Sequence, residues 1–308
     1  MAIFFYTVML FQPLQPPQKR AAFRAALKSG KLLRFPGAFS PLVAMLIEQI
    51  GFDGVYISGA VLSADLGLPD IGLTTLPEIT SRGQAIARTT QLPAIIDIDT
   101  GFGEPMNVAR TIHFIEEAGL CGCHIEDQIN PKRCGHLDNK TLVDTPTMAK
   151  RIRAAAQAKR DPNFLLIART DARAPEGLDA AINRAKAYID AGAEMIFPEA
   201  LANESEFETF RKAIPVPLLA NMTEFGKSPL LSINQLQSLG YNLVIYPVTT
   251  LRLAMKSVEI GLKQILADGS QQNLINAMQS RVDLYKLLQY ERYNAFDQGI
   301  YNFNVKND

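Results

Sequence analysis

Eight short apolar runs, at 32–36, 54–58, 93–98, 121–126, 164–169, 194–198, 217–221 and 242–246, alternate with amphipathic stretches along this chain. Runs of that length and spacing read as buried strands separated by helices, the βα pattern of a parallel sheet. The helical period is explicit in two stretches. Val108, Ile112, Ile115 and Gly119 form one stripe, and Leu178, Ala181, Ile182, Ala185 and Ile189 form another. Eight units in 308 residues fit an α/β fold of the (β/α)8 TIM-type barrel class, which needs about 250 residues plus insertions. A doubly wound open sheet is the competing architecture, because one sequence does not disclose strand order.

Residues 1–18 are expected to form an N-terminal extension, and 19–308 a single barrel domain with a C-terminal helical segment. The first eleven residues are apolar, but they lack a basic leader and fall short of the roughly 20 residues that span a bilayer. Beyond the eighth unit, 271–297 reads as one further helix with Leu274, Met278, Arg281, Tyr285 and Leu288 near one face, followed by a polar tail.

Lysine plus arginine equals aspartate plus glutamate, 31 against 31, so the chain has no net basic field for nucleic acid or an anionic membrane. A small-molecule substrate is expected. Three cysteines, Cys121, Cys123 and Cys134, cannot build a disulfide framework and suit a reducing cytoplasm.

Charged side chains in buried strands are costly without a partner or a metal, yet here they recur at strand ends. Asp97 and Asp99 sit two apart in DIDTG, so a strand period turns both carboxylates to one face. His124 and Glu126 repeat the pattern, and Arg169, Glu199, Asn221 and Thr223 end later strands. In a parallel barrel those ends share one rim, where catalytic groups collect. An oxygen-rich, anionic rim suits Mg²⁺, with Mn²⁺ as a substitute, better than Zn²⁺. The structural alternative is that Asp97 and Asp99 cap a helix or pair with Arg169.

The fourth strand is followed by DQINPKRCGHLDNKTLVDT, longer than the roughly 2–6 residues of an ordinary βα connection and therefore a candidate lid. Lys132, Arg133 and His136 flank Cys134, an environment that favours thiolate, so Cys134 is the candidate acid/base group. A zinc-binding module drawing on Cys121, Cys123, His124, Cys134 and His136 is the rival from another class. Strand alternation opposes it: Cys121 and Cys123 share a face with Ile125, opposite His124 and Glu126, and are expected as small core residues. His113 falls beside its helix stripe and is expected at the surface.

The segments YISG (56–59), LGLPD (66–70), DIDTGFG (97–103), IEDQ (125–128), KRCGH (132–136), RTDA (169–172), PEA (198–200) and NMTEFG (221–226) together resemble the isocitrate lyase and phosphoenolpyruvate mutase superfamily. The cysteine in KRCGH points to its lyase branch. The resemblance implies a Mg²⁺-dependent carbon–carbon lyase that cleaves 2-methylisocitrate to pyruvate and succinate, with isocitrate or dimethylmalate as alternative substrates. Phe197 stands where isocitrate lyases tend to carry a bulkier aromatic, a difference worth only about 1–3 kcal/mol in discrimination.

Position by position, the resemblance implies that Ser58, Gly59 and Ala60 hold a substrate carboxylate and that Asp97 and Asp99 hold the metal, with Asp70 and Glu126 behind them. Cys134 and Gly135 would meet the substrate through the lid, and Arg169 and Glu199 at the rim. Asn221, Met222 and Thr223 would take the far carboxylate, with Arg252 and Arg281 completing the anion contacts. Tyr56, on the strand face of Ser58, is the candidate base for the substrate hydroxyl, and Glu199 the second choice. Two positions depart from the family pattern: Ala60, where a third glycine is common, and Leu137, where a basic residue is frequent. A homotetramer that exchanges its last helices is likewise implied by resemblance alone.

Overall fold

A computed structural model describes residues 14–133, 135–136 and 140–303. Cys134, Leu137 and most of the proposed extension lie outside the described residues. The chain divides into a unit spanning Gln15–Ala254 and a second unit from Met255 onward.

In the first unit, eight parallel strands follow one another: β1 (Leu33–Pro36), β2 (Val55–Ile57), β3 (Ala94–Asp97), β4 (Gly122–Glu126), β5 (Leu165–Thr170), β6 (Met195–Pro198), β7 (Leu219–Asn221) and β8 (Leu243–Tyr246). Hydrogen bonding groups them in two arcs, β1-β8-β7 and β2-β3-β4-β5-β6. Parallel bridges join the arcs at both seams, Gly37 with Tyr56 and Ile196 with Leu218. Each strand thus neighbours its successor and β8 neighbours β1, a closed barrel rather than an open sheet.

The helices begin and end on local signals. Asp144 Oδ1 accepts from the Thr147 amide at 2.7 Å ahead of helix Thr145–Ala158, and Pro146 occupies its first turn. Helix Leu178–Ala191 ends on Gly192 at φ 116, a conformation that costs glycine nothing. Val108, Ile112 and Ile115 are fully buried, and Ile182, Ala181 and Ala185 are buried as their stripe requires. His113 is half-exposed and pairs with Glu117.

Strand alternation produces two apolar layers. Val55, Ile57, Ile96, Cys123, Ile125, Leu166 and Ala168 face the helices. Leu33, Phe35, Tyr56, Ile95, Leu165, Ile167, Met195, Phe197, Leu219, Leu243 and Ile245 fill the barrel, and Phe23 and Leu27 of helix Pro16–Lys28 pack among them from below. That helix is fastened by buried cations: Lys19 Nζ donates to the Ala87 carbonyl at 3.0 Å, and Arg20 Nε to the Leu120 carbonyl at 2.9 Å.

Three expectations need correction. Cys121 does not share the outward layer of Cys123; it precedes β4 and packs with the interior cluster that includes Phe23 and Leu27. Asp99 is not on a strand, because β3 ends at Asp97 and Asp99 adopts φ 48. The segment 271–297 is not one helix: a short 3-10 turn, Gln272–Ala277, is followed by helices Arg281–Leu287 and Tyr290–Tyr301. Ser280 caps the first of these through the Asp283 amide, and Gln289 at φ 56 breaks the chain before the second. Periodicity continued through both interruptions because apolar residues persist at helical spacing.

Among the described residues, no helix is long and apolar enough to cross a membrane.

Candidate active site

The interior positions of the strands change character along their length. Below lie Ile95, Leu165, Ile167, Met195 and Leu219, and above them stand Asp97, His124, Glu126, Arg169, Glu199 and Asn221. Register sets Asp97 beside His124 and Glu126 beside Arg169 across adjacent strands. Asp97, His124, Glu126, Arg169 and Glu199 are all buried.

Asp97 and Asp99 converge by a turn rather than by strand alternation. Asp97 Oδ1 accepts from the Asp99 amide at 3.0 Å, and Oδ2 from the Gly59 amide at 3.2 Å. A Cβ placed on Gly59 would lie 3.0 Å from Asp97 Oδ2 and 3.1 Å from Asp99 Oδ1, so residue 59 must be small for both carboxylates to approach it. Asp99 Oδ1 and both Glu126 oxygens are buried without an aligned hydrogen bond. Burial, reinforced by Asp97 and opposed by Lys132, raises the Asp99 carboxyl to about 6. Glu126 is pushed well above the ordinary carboxylate range by burial, against the pull of Arg169, whose NH1 stands 3.3 Å away.

This is a crowded set of hard oxygen donors, as a small divalent cation requires. Among the described residues, no group of three or more His, Cys, Asp and Glu is disposed to hold a metal. The zinc reading therefore loses Cys121, Cys123 and His124 as a common set. Two carboxylates with waters in the remaining positions suit a cation that keeps part of its hydration shell.

Lys132, two residues before Cys134 in the sequence, was expected to flank the thiol, which lies outside the described residues. The Lys132 ammonium enters the carboxylate cluster, 2.8 Å from Asp99 Oδ1 and in contact with Asp70. Its charge is held despite burial by Asp99 and Glu126. Asp70 thus acts on the cluster through Lys132.

Tyr56 donates its hydroxyl toward His124 Nε2 at 2.8 Å, and His124 Nδ1 stands 3.5 Å from Asp97 Oδ1. Burial lowers the His124 pKa, so the ring is neutral, and a donating phenol leaves its hydrogen on Nδ1 facing Asp97. Burial, then Asp97, raises the Tyr56 pKa well above its ordinary value. The phenol keeps its proton and directs it at His124 Nε2.

On the opposite wall, Arg169 lies over the Phe197 ring at 5.1 Å and donates from Nε to Asp171 Oδ2 at 2.9 Å. Glu199 Oε2 is 3.4 Å from Arg169 Nε, and Oε1 is 2.5 Å from His136 Nε2. His136 Nδ1 accepts from the Lys227 amide at 2.9 Å, which places the ring proton on Nε2, toward Glu199. Although burial opposes it, Arg169 and then His136 hold Glu199 far below the usual carboxylate range. Asn221 Nδ2 approaches both Glu199 oxygens at 3.3 and 3.4 Å, leaving its own Oδ1 without a partner.

Gly135 sits directly on this wall. A Cβ there would lie 2.3 Å from an Arg169 nitrogen and 2.6 Å from Glu199 Cγ, so no side chain fits. Ser58 is buried at the end of β2, and Gly59 and Ala60 open the helix Gly59–Asp65 beside Asp97. Met222 turns its sulfur to the Leu231 amide, so only its backbone faces the rim residues Asn221 and Thr223. Arg252 donates to the Glu224 carbonyl at 2.8 Å and stacks on Phe225 at 5.0 Å. Arg281 opens its helix in the second unit and is exposed.

Residues that sequence patterns did not single out support this wall from behind. Asp127 Oδ1 accepts from the Asp171 amide, and its Oδ2 from Thr170 and Tyr188, each at 2.8 Å. Lys140 Nζ is 2.9 Å from Asp171 Oδ1. Asp127, Thr170 and Asp171 lie inside the motifs IEDQ and RTDA, whereas nothing in the sequence marked Lys140 or Tyr188.

Known proteins share this arrangement of chain. Residues 23–266 match the family model for phosphoenolpyruvate phosphomutase. A probable 2-methylisocitrate lyase 1 of Corynebacterium glutamicum is 60% identical over 287 residues, 93% of this chain and 94% of its own. A 2-methylisocitrate lyase of Bacillus subtilis is 47% identical over 278 residues, 90% of this chain and 92% of its own. Among solved structures, a phosphonopyruvate hydrolase in complex with oxalate and Mg²⁺ superposes with a TM-score of 0.83 at 34% identity, covering 91% of this chain and 98% of that one. The matched span holds the whole barrel and every rim residue described above, and this chain belongs to the phosphoenolpyruvate phosphomutase family.

Proposed function

We propose that this chain is a Mg²⁺-dependent carbon–carbon lyase that cleaves 2-methylisocitrate into pyruvate and succinate. The observation that carries the reading is a buried mouth with two functions on opposite walls. Asp97 and Asp99 present hard oxygen on one side, Asp99 Oδ1 lacking an aligned hydrogen bond, and Arg169 with Asn221 brings hydrogen-bond donors to the other. Identity of 43–60% to several proteins named 2-methylisocitrate lyase, over about nine-tenths of the chain, supports the same reaction. The phosphonopyruvate hydrolase bound to oxalate and Mg²⁺ supports the choice of metal.

Asp97 and Asp99 would hold Mg²⁺, with Asp70 and Glu126 behind them. A cation held there would supply Lewis acidity, making the substrate hydroxyl easier to deprotonate. Ser58, Gly59 and Ala60 orient the neighbouring carboxylate. Tyr56, whose own proton points at His124 Nε2, or, as second choice, Glu199 accepts the hydroxyl proton. The carbon–carbon bond then breaks, the hydroxyl oxygen becomes the carbonyl of pyruvate, and the bonding pair remains on the succinate carbon. Arg169, Asn221 and Thr223 bind the succinate carboxylates, joined by Arg252. Cys134, next in the chain to Gly135, donates the proton that completes succinate, a positioned transfer worth roughly 10²–10⁴-fold.

Self-association extends this reading. The second unit exposes Val258, Leu262, Leu266, Val282 and Phe296, apolar surface that an isolated unit would leave in water. A homotetramer with exchanged C-terminal helices covers it.

The test is turnover of 2-methylisocitrate and isocitrate with Mg²⁺, following pyruvate and glyoxylate separately. Pyruvate formation abolished by EDTA is the expected result. Dominant glyoxylate would assign the chain to isocitrate cleavage, and neither product would overturn the lyase reading.

A further inference from the structure

The long connection after β4 is a stalked loop. Gln128 and Leu142 form an antiparallel bridge at its base, and the Ile129 amide donates to the Thr141 carbonyl at 2.9 Å. At the end of the loop, Lys140 turns its side chain back inside rather than out to solvent. Only 1% of that side chain is exposed. Its ammonium donates to the Gly135 carbonyl within the loop and to Asp171 Oδ1 at 2.9 Å. The same Asp171 receives two hydrogen bonds from Arg169, at 2.9 and 3.2 Å, and its amide is fixed by Asp127.

We infer that Lys140 is a positioning residue, whose ammonium locks the Gly135 peptide to the carboxylate that also aims Arg169. This deepens the lyase reading and rests on it. Burying a lysine side chain is costly, and a loop that only needed to be tethered could do so at the surface with an ordinary exposed pair. An ammonium offers three donors and no acceptor, so it can join a carbonyl and a carboxylate at one point. Residue 134 is the adjacent residue in the chain, so its chemical reactivity reports whether the Gly135 peptide is held. Lys140 thereby couples the seat of the Gly135 peptide to the alignment of Arg169 for a substrate carboxylate.

The test compares the full-length protein with Lys140→Met and Lys140→Arg. Three quantities are measured: kcat and KM for 2-methylisocitrate, the thermal midpoint, and the rate at which iodoacetamide alkylates residue 134, followed by peptide mass spectrometry. Displacement of a reacting group by about 1 Å can cost on the order of 10²-fold, so Lys140→Met is expected to lower kcat about 10²-fold, while KM changes less than about threefold. Alkylation should accelerate at least about threefold at an almost unchanged midpoint, and Lys140→Arg, which keeps charge and donors, should recover part of kcat. Unchanged kcat and alkylation in Lys140→Met would overturn the inference. So would a parallel fall of kcat and thermal midpoint that Lys140→Arg does not relieve. If Lys140→Met does not fold, kcat and alkylation of Lys140→Arg relative to wild type decide: values like wild type with a folded protein support the charge requirement, and a collapse of the fold in both variants refutes a positioning role. If the wild-type chain lacks lyase activity, that reading fails by itself, and the alkylation rates alone judge the latch.

Discussion

The Tyr56 hydroxyl meets His124 Nε2 at 2.8 Å, with both rings buried and His124 edge-on to Phe197. The pair orients a ring nitrogen toward Asp97 and leaves the phenol protonated. Tyr56→Phe removes the oxygen that takes the substrate's proton, so kcat should fall by roughly 10²–10⁴-fold, the cost of losing a general base. Steady-state kinetics check this, and a drop of only about tenfold would pass the role of base to Glu199.

Asp97 takes hydrogen bonds from Gly59 and Asp99, while Asp99 holds a buried oxygen with no aligned partner. Asp99→Asn is expected to raise the Mg²⁺ concentration for half-maximal activity by at least about tenfold, one lost carboxylate ligand to a hard cation. Titration calorimetry with Mg²⁺ alone checks the binding separately from turnover, and a wild-type isotherm would refute the assignment.

Cys134→Ser keeps size and polarity but removes the acidic thiol. Turnover should fall by roughly 10²-fold or more, while Mg²⁺ binding remains within about twofold of wild type. Equal turnover in the two proteins would eliminate the thiol as proton donor.

Gly135→Ala should be folded but slow. The added carbon meets Arg169 and Glu199 at distances no packed atom tolerates, so the loop must draw back from the wall. A kcat loss on the order of 10²-fold is expected from displacement of that size. A thermal midpoint close to wild type would show that the cost falls on the site rather than on the barrel core.

Away from the mouth, Asp53 accepts from the Arg34 amide and Nε at 3.0 and 2.6 Å. Burial alone would raise its carboxyl, but these hydrogen bonds and that from Lys31 outweigh it and hold the pKa below the ordinary value. A depressed carboxylate contributes its stability above the unfolded pKa of about 3.9, and loses it as pH falls through the folded value. Asp53→Asn should thus cost roughly 1 kcal/mol in urea denaturation at pH 7, a difference that closes at acid pH below both values. A gap that persists there would attribute the loss to packing.

The strands were legible because each buried run carries its own ends: apolar composition stops where turn chemistry begins, and β1 to β8 start and finish within two residues of the expected runs. The rim was legible for the same reason, since Asp97, Glu126, Arg169 and Glu199 interrupt apolar strands where burial makes charge expensive. What periodicity could not convey is contact across the barrel. Lys132 meets Asp70 over 62 residues, and Lys140 meets Asp171 over 31, in segments with no regular period. Asp99 reached the predicted place by an unpredicted route, a positive-φ turn, because strand alternation and a tight turn both return a side chain to the same side. Cys121 was misplaced since it stands one residue ahead of β4, where alternation does not yet apply.

Helix Pro16–Lys28, stapled under the barrel by Lys19 and Arg20, makes the lower end of the barrel a solid floor. Below the polar rim the interior is filled by side chains rather than open as a channel. A compound that enters through the mouth must leave by it, past Gly135 on the wall of Arg169 and Glu199. Entry and exit then share one route, so a product must clear the mouth before the next substrate can enter it.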